Sequence, residues 1–214
     1  MRIYFVRHGI SRSNQKSTYS SPDTPLAPEA EEHLMPVAER LSRIKFDRIY
    51  SSDLPRAINT AKILGYEDPI IEPRIGERNF GIFIGHTHEE CIDLFPGPYA
   101  KYQNDPVGYQ IPSGASFPDL CDRVCDFLDE ISAKERSENP MISGFRPQAA
   151  DETQVLLVGH FNVIAAAMCW VFENRSLSHH LVCDNGGVML MDIRGKLKTI
   201  FIETDEANGY DNGD

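Results

Sequence analysis

Positive charge is scarce in this sequence relative to negative charge. Its 214 residues carry 21 Lys and Arg against 32 Asp and Glu, a formal net charge of −11, so nonspecific attraction to nucleic acid or to an anionic membrane is not expected. No apolar run approaches the roughly 20 residues needed to span a bilayer. The first residues lack the succession of charged, apolar and small residues that marks a secretory leader. Five cysteines (Cys91, Cys121, Cys125, Cys169, Cys183) are an odd number, which argues for reduced thiols and a cytoplasmic setting. Internal repeats and extended low-complexity segments are also absent.

What is present is the patterning of a folded α/β chain. Runs such as Ile3-Tyr4-Phe5-Val6 and Val155-Leu156-Leu157-Val158 read as buried strands. A strand over 2–6 leads into Arg7-His8-Gly9, followed by an irregular loop over 11–28 rich in Ser, Pro, Asn and Thr. A helix is expected over 29–44, kinked or restarted at Pro36. A strand over 48–50 then leads into a helix over 55–64, with Ser52 or Asp53 as its N-cap.

A third strand is expected over 70–72. The stretch 76–113, rich in Gly, Pro and aromatics, reads as a pocket-capping insertion. Ser116 can cap a helix over 117–131, and 133–152 reads as a disordered loop. The strand over 154–158 delivers Gly159-His160 into a helix over 162–172, and 188–193 with 197–202 form a closing hairpin. Alternating strands and helices predict one α/β domain over 1–202, a mainly parallel central sheet with helices on both faces. The acidic residues 203–214 are expected to form a disordered tail.

Three strand ends carry cationic or proton-carrying groups: Arg7 and His8, Arg56, and His160. Open α/β sheets place ligands at the carboxyl ends of their strands. A phosphoryl group needs charge-assisted donors around its oxygens, and guanidinium forks supply them in bidentate geometry. An imidazole, largely unprotonated near neutral pH, is a competent nucleophile. A small phosphorylated substrate is the partner these groups suggest.

These residues also carry a resemblance. Arg7-His8-Gly9-Ile10-Ser11-Arg12-Ser13-Asn14, Ser51-Ser52-Asp53-Leu54-Pro55-Arg56-Ala57 with Thr60-Ala61, Gly76-Glu77-Arg78-Asn79-Phe80-Gly81 and Val158-Gly159-His160 resemble, in order, four elements of the histidine phosphatase superfamily, particularly its phosphoglycerate-mutase-like branch. The resemblance implies that His8 attacks phosphorus and is transiently phosphorylated. It implies that Arg7, Arg56 and His160 bind the phosphoryl oxygens, and that Asn14 bonds the same group or orients the loop. Glu77 is implied as the acid that protonates the leaving oxygen and later deprotonates water. No cofactor or metal is implied, the arginines and histidines supplying the positive charge. Ile10 stands where the family often has Glu or Gln, Gly114-Ala115-Ser116 lacks a Glu common there, and Phe161 replaces a frequent Gly. These departures bear on substrate identity.

Blander readings stand beside these. Arg7 and Arg56 could be surface ion-pair residues, Glu77 a surface carboxylate and Asn14 a turn residue. His86-Thr87-His88-Glu89-Glu90-Cys91 contains metal-ligand types, but its histidines stand two apart without a second ligand group. Cys121 and Cys125 read as small buried apolar residues on a helix, and His179-His180 as a surface turn. The function expected is metal-independent hydrolysis of a phosphomonoester. A mutase using the same intermediate is the first alternative; the basic residues after Glu77 (Lys101, Arg123, Lys134, Arg136, Arg146) form no evident cluster for a second anionic group. A noncatalytic phospholigand-binding module is the second.

Overall fold

The structure is a computed structural model that describes residues 1–137, 152–174, 183–195 and 197–202. Its centre is a six-stranded sheet built from β1 (Arg2–Arg7), β2 (Arg48–Ser51), β3 (Ile70–Ile71), β4 (Gln154–Gly159), β5 (Val188–Arg194) and β6 (Leu197–Ile202), in the order β3-β2-β4-β1-β5-β6. The pairings from β3 through β2 and β4 to β1 are parallel, while β5 and β6 add antiparallel to the far edge. The sheet is thus mainly parallel, as the alternating pattern predicts.

Strand β1 lies between β4 and β5 and is covered on both faces, which is why its apolar run is continuous rather than alternating. Ile3 and Phe5 point into a core with α6 (Phe117–Ser137) and α7 (Phe161–Phe172). Val6 points the other way, against α2 (Ala30–Leu41) and α3 (Pro55–Ile63). Each such side chain, taken fully out of water, contributes on the order of 2 kcal/mol. No described helix is long and apolar enough to cross a membrane.

Several local expectations need correction. Helix α2 ends at Leu41 and runs through Pro36 without interruption; Pro36 sits on the exposed face, where a carbonyl left without its helical partner can meet water. The N-cap of α3 is Leu54, not Ser52 or Asp53, although Ser52 Oγ accepts the Leu54 N–H at 3.1 Å. Stretch 76–113 holds two helices, α4 (His88–Leu94) and α5 (Pro96–Asn104). These pack Phe83, Cys91, Tyr99 and Ile111 into a small core of their own. Helix α6 continues to Ser137, past the expected loop start at 133. Ser116 caps it as expected, exchanging hydrogen bonds with Asp119. The rest of that loop beyond 137, up to 151, the 179–180 pair and the 203–214 tail lie outside the described residues.

Candidate active site

The last register pair of β1 and β4 is Arg7 with Gly159, so both strands release their next residue, His8 and His160, at the same level. The His8 N–H still donates to the Gly159 carbonyl at 2.9 Å, and on the other side of β4 the Ser52 N–H donates to Val158 at 3.0 Å. Three adjacent parallel strands therefore deliver Ser52, His160 and His8 side by side at their carboxyl ends.

His8 is 4% exposed. Its Nδ1 lies 2.7 Å from the Gly9 carbonyl; a carbonyl only accepts, so Nδ1 carries the proton and Nε2 keeps its lone pair. Burial, then the Arg56 charge, push the imidazole down to about 3 against the smaller opposing effect of the Gly9 bond. His8 is neutral at any ordinary pH. Gly9 closes the turn: its N–H donates to Thr60 Oγ1 at 3.0 Å, and a Cβ there would come 2.8 Å from Leu34 Cδ1. Asn185 Nδ2 ties the same turn down by donating to the His8 carbonyl at 3.0 Å.

His160 is fully buried, with Nε2 2.9 Å from Ser52 Oγ. Burial, then the electrostatic effects of the neighbouring His8, Arg56, Arg123 and Arg7, hold it well below the usual histidine range. Arg56 is 1% exposed and donates to the Ser21 carbonyl at 3.0 Å. Arg7 donates to the Cys183 carbonyl, and its guanidinium lies 5.5 Å from the Phe161 ring centroid. Phe161, one of the departures noted above, thus gives Arg7 an aromatic face to rest on. Among the described residues neither Arg7 nor Arg56 forms an ion pair with a carboxylate. Arg7 Nε, Arg56 Nε and His160 Nδ1 are buried without a hydrogen-bond partner. Unmatched buried donors of this kind are costly and call for a ligand or another explanation.

Glu77 is half-buried, and its charge reaches both Arg7 and Arg56. Its Oε1 accepts the Arg78 N–H at 2.8 Å. Asn14 belongs to the loop: it forms a capping box with Ser11 at the start of the short helix α1 (Arg12–Gln15), and its Oδ1 accepts from Asn185 at 3.2 Å. His8, His160, Arg7 and Arg56 are therefore brought together, Glu77 is near enough for its charge to act on both arginines, and Asn14 is tied to the His8–Gly9 turn through Asn185. Next to Asn14 opens a cleft of about 320 Å³ lined by Ser13, Asn14, Ser17, Thr18, Tyr19 and His88.

The 86–91 segment serves the insertion's own architecture. Thr87 and Glu90 cap α4 reciprocally, Cys91 is buried in the small core, and His88 Nδ1 is paired with the Tyr99 hydroxyl. Asn185 received no role from the sequence, and Ser52 only that of a candidate N-cap. Ser52 could have been found from its place one residue past a strand, and Asn185 from the turn signal of Asn185-Gly186-Gly187.

A profile of the histidine phosphatase superfamily (branch 1) matches residues 3–202. The chain belongs to this superfamily. Superfamily membership makes it an enzyme. An Escherichia coli relative named "Probable phosphoglycerate mutase GpmB" is 28% identical over 146 residues, 66% of this chain and 68% of that protein. Among solved structures, the alpha-ribazole phosphatase of Shigella flexneri superposes with a TM-score of 0.79 at 24% identity, covering 94% of this chain and 95% of that one. An Entamoeba histolytica phosphoserine phosphatase, a mutant solved with phosphoserine, gives 0.72 at 20% identity, covering 93% and 94%. At these identities the structural matches establish the fold.

Proposed function

We propose that this superfamily member is a phosphatase that hydrolyses a phosphomonoester through phosphohistidine at His8. The observation that carries the reading is the convergence of two guanidiniums, Arg56 buried and Arg7 half-buried, neither paired with a carboxylate among the described residues, on a buried neutral imidazole whose Nε2 keeps its lone pair. Nε2 of His8 attacks phosphorus as the ester P–O bond breaks, and Glu77 gives its proton to the departing alcohol oxygen. Glu77, now a carboxylate, then takes a proton from water as the water oxygen attacks the phosphohistidine. Inorganic phosphate leaves, and both groups are restored.

Arg7 and Arg56 hold the equatorial oxygens and offset the charge that spreads over them. Ser52 fits a matching part. Its hydroxyl accepts the Leu54 N–H and can donate to His160 Nε2, a better geometry than its 3.5 Å approach to Asp53. That leaves the proton of His160 on Nδ1, free to donate to a phosphoryl oxygen. Asn14 acts through Asn185 on the nucleophile's turn. No metal enters this scheme.

The relatives are named both ways, as mutase and as phosphatase. A mutase returns the phosphoryl group to a substrate that carries a second anionic group, which calls for cations beside the nucleophile. The further arginines around Glu77, Arg78 and Arg123, give their guanidiniums to backbone carbonyls rather than to an open second anion site, and this favours the phosphatase. The test is to supply nitrophenyl phosphate, a panel of phosphorylated metabolites and 3-phosphoglycerate. Phosphate release with no isomerised phosphoglycerate is expected. Isomerisation without phosphate release would make it a mutase, and no release of phosphate from any of these substrates would count against the proposed reaction.

A further inference from the structure

Arg123 stands on α6, outside every element that carries the chemistry, yet it grips the loop that carries Glu77. One guanidinium nitrogen, Nη1, donates to the Arg74 carbonyl, and the other, Nη2, donates to the carbonyls of Gly76 at 2.7 Å and Glu77 at 3.0 Å. Among the described residues it has no ion-pair partner; its fork is given to the backbone of one loop. Gly76 fits closely beneath this clamp, since a Cβ there would lie 3.2 Å from Asp53 Oδ1 and 3.8 Å from Arg123 Nη1.

The next residue after Glu77 is fixed as firmly. Arg78 is 4% exposed and donates to the carbonyls of Pro106, Tyr109 and Ala115. Glu77 therefore projects from a peptide held on its amino side by one arginine fork and on its carboxyl side by another. Arg78 bonds only within the 76–116 region, so it moves with that segment. Arg123 ties the segment to α6, which packs on the central sheet.

We infer that Arg123 is the positioning residue for Glu77, the contact that fixes the height of this carboxyl group over the phosphoryl pocket of the central sheet. The inference rests on the reading of Glu77 as the leaving-group acid. A planar fork meeting four carbonyls of one loop, those of Pro73, Arg74, Gly76 and Glu77, defines both position and orientation, which a lysine ammonium cannot do. Misplacement of a reacting group by about 1 Å can cost on the order of 100-fold in rate. The loss should fall on substrates that need the proton. An alkoxide leaving group depends on Glu77, whereas nitrophenolate leaves as a stable anion.

The test is the ratio of kcat/KM for nitrophenyl phosphate to that for an alkyl phosphate, measured on the full chain and on Glu77→Gln, Arg123→Gln, Arg123→Lys and the Glu77→Gln/Arg123→Gln double variant. Both substrates see the same preparation, so a smaller folded fraction lowers both rates and leaves the ratio alone. The expected result is a ratio raised on the order of tenfold in Glu77→Gln and comparably in Arg123→Gln, with no further rise in the double variant. Arg123→Lys keeps a positive charge near His160 but loses the fork, and its ratio should rise too. An unchanged ratio in both Arg123 variants beside a raised one in Glu77→Gln would overturn the inference and leave Glu77 as the acid. A further rise in the double variant would likewise overturn it. An unchanged ratio in Glu77→Gln itself would remove Glu77 from its role, and the inference with it.

Discussion

The imidazoles of His8 and His160 face each other with ring centroids 5.2 Å apart and planes inclined by 59°, at the ends of two adjacent parallel strands. Both are buried beside two guanidiniums. Neither can be protonated without placing a further positive charge in that enclosure. The pair is therefore neutral in the folded chain, which suits one ring to attack phosphorus and the other to donate a hydrogen bond.

Neutral buried histidines make the fold sensitive to acid. An unfolded histidine takes up a proton near pH 6.5, while folded His8 resists until about pH 3. Stability is fully present above pH 6.5 and is lost progressively as pH falls through that window, by about 1.4 kcal/mol per pH unit for one histidine. Urea denaturation of the native chain and of His8→Asn at pH 7 and pH 5 checks this. The native chain should lose up to about 2 kcal/mol more than the variant over that interval. Parallel losses would contradict the buried neutral state of His8.

Gly81 packs the start of the insertion against its end. It has φ +49°, and a Cβ there would lie 2.1 Å from the Pro112 carbonyl oxygen and 2.6 Å from the Gly114 nitrogen, both backbone atoms. Gly81→Ala should destabilise the chain by roughly 2–4 kcal/mol. Gly85 also has positive φ, +85°, but open space around it, so Gly85→Ala should cost only the conformational penalty of about 1–2 kcal/mol. Equal effects in a denaturation series would show that the contact with 112–114 does not hold the insertion in place.

The arginine-based pocket predicts two responses to small molecules. In the proposed mechanism Arg7 and Arg56 take the electrostatic part that a divalent ion plays in metal-dependent phosphoryl transfer, so chelator should leave turnover unchanged. Vanadate, which adopts the five-coordinate geometry of the transferring phosphoryl group, should inhibit. Loss of activity in chelator restored by Mg²⁺ or Zn²⁺, or indifference to millimolar vanadate, would contradict the proposed mechanism.

Much of this arrangement is legible in the sequence because it follows from strand ends. Apolar runs over 2–6 and 154–158 mark central strands, and a residue after such a strand lands at the sheet's carboxyl edge whatever the rest of the chain does. His8, His160 and Arg56 can be placed in that way, and the ordered motifs add Glu77. The parts that escape are contacts between segments distant in sequence. Arg123 and Asn185 reach the site only through tertiary packing, and no local spacing signals an arginine that bonds to carbonyls about 50 residues earlier. The helices of the insertion escape for a different reason. Pro96, Gly97 and Pro98 read as turn residues, yet at the first turn of α5 a proline gives up no intrahelical bond.

The measurement that tests the central claim most directly is to trap the enzyme during turnover of a ³²P-labelled phosphomonoester and locate the label by mass spectrometry. The account predicts an acid-labile, alkali-stable phosphoenzyme carrying the label on His8, absent together with turnover in His8→Ala. Label on any other residue, or a His8→Ala chain that still forms the phosphoenzyme, would contradict it.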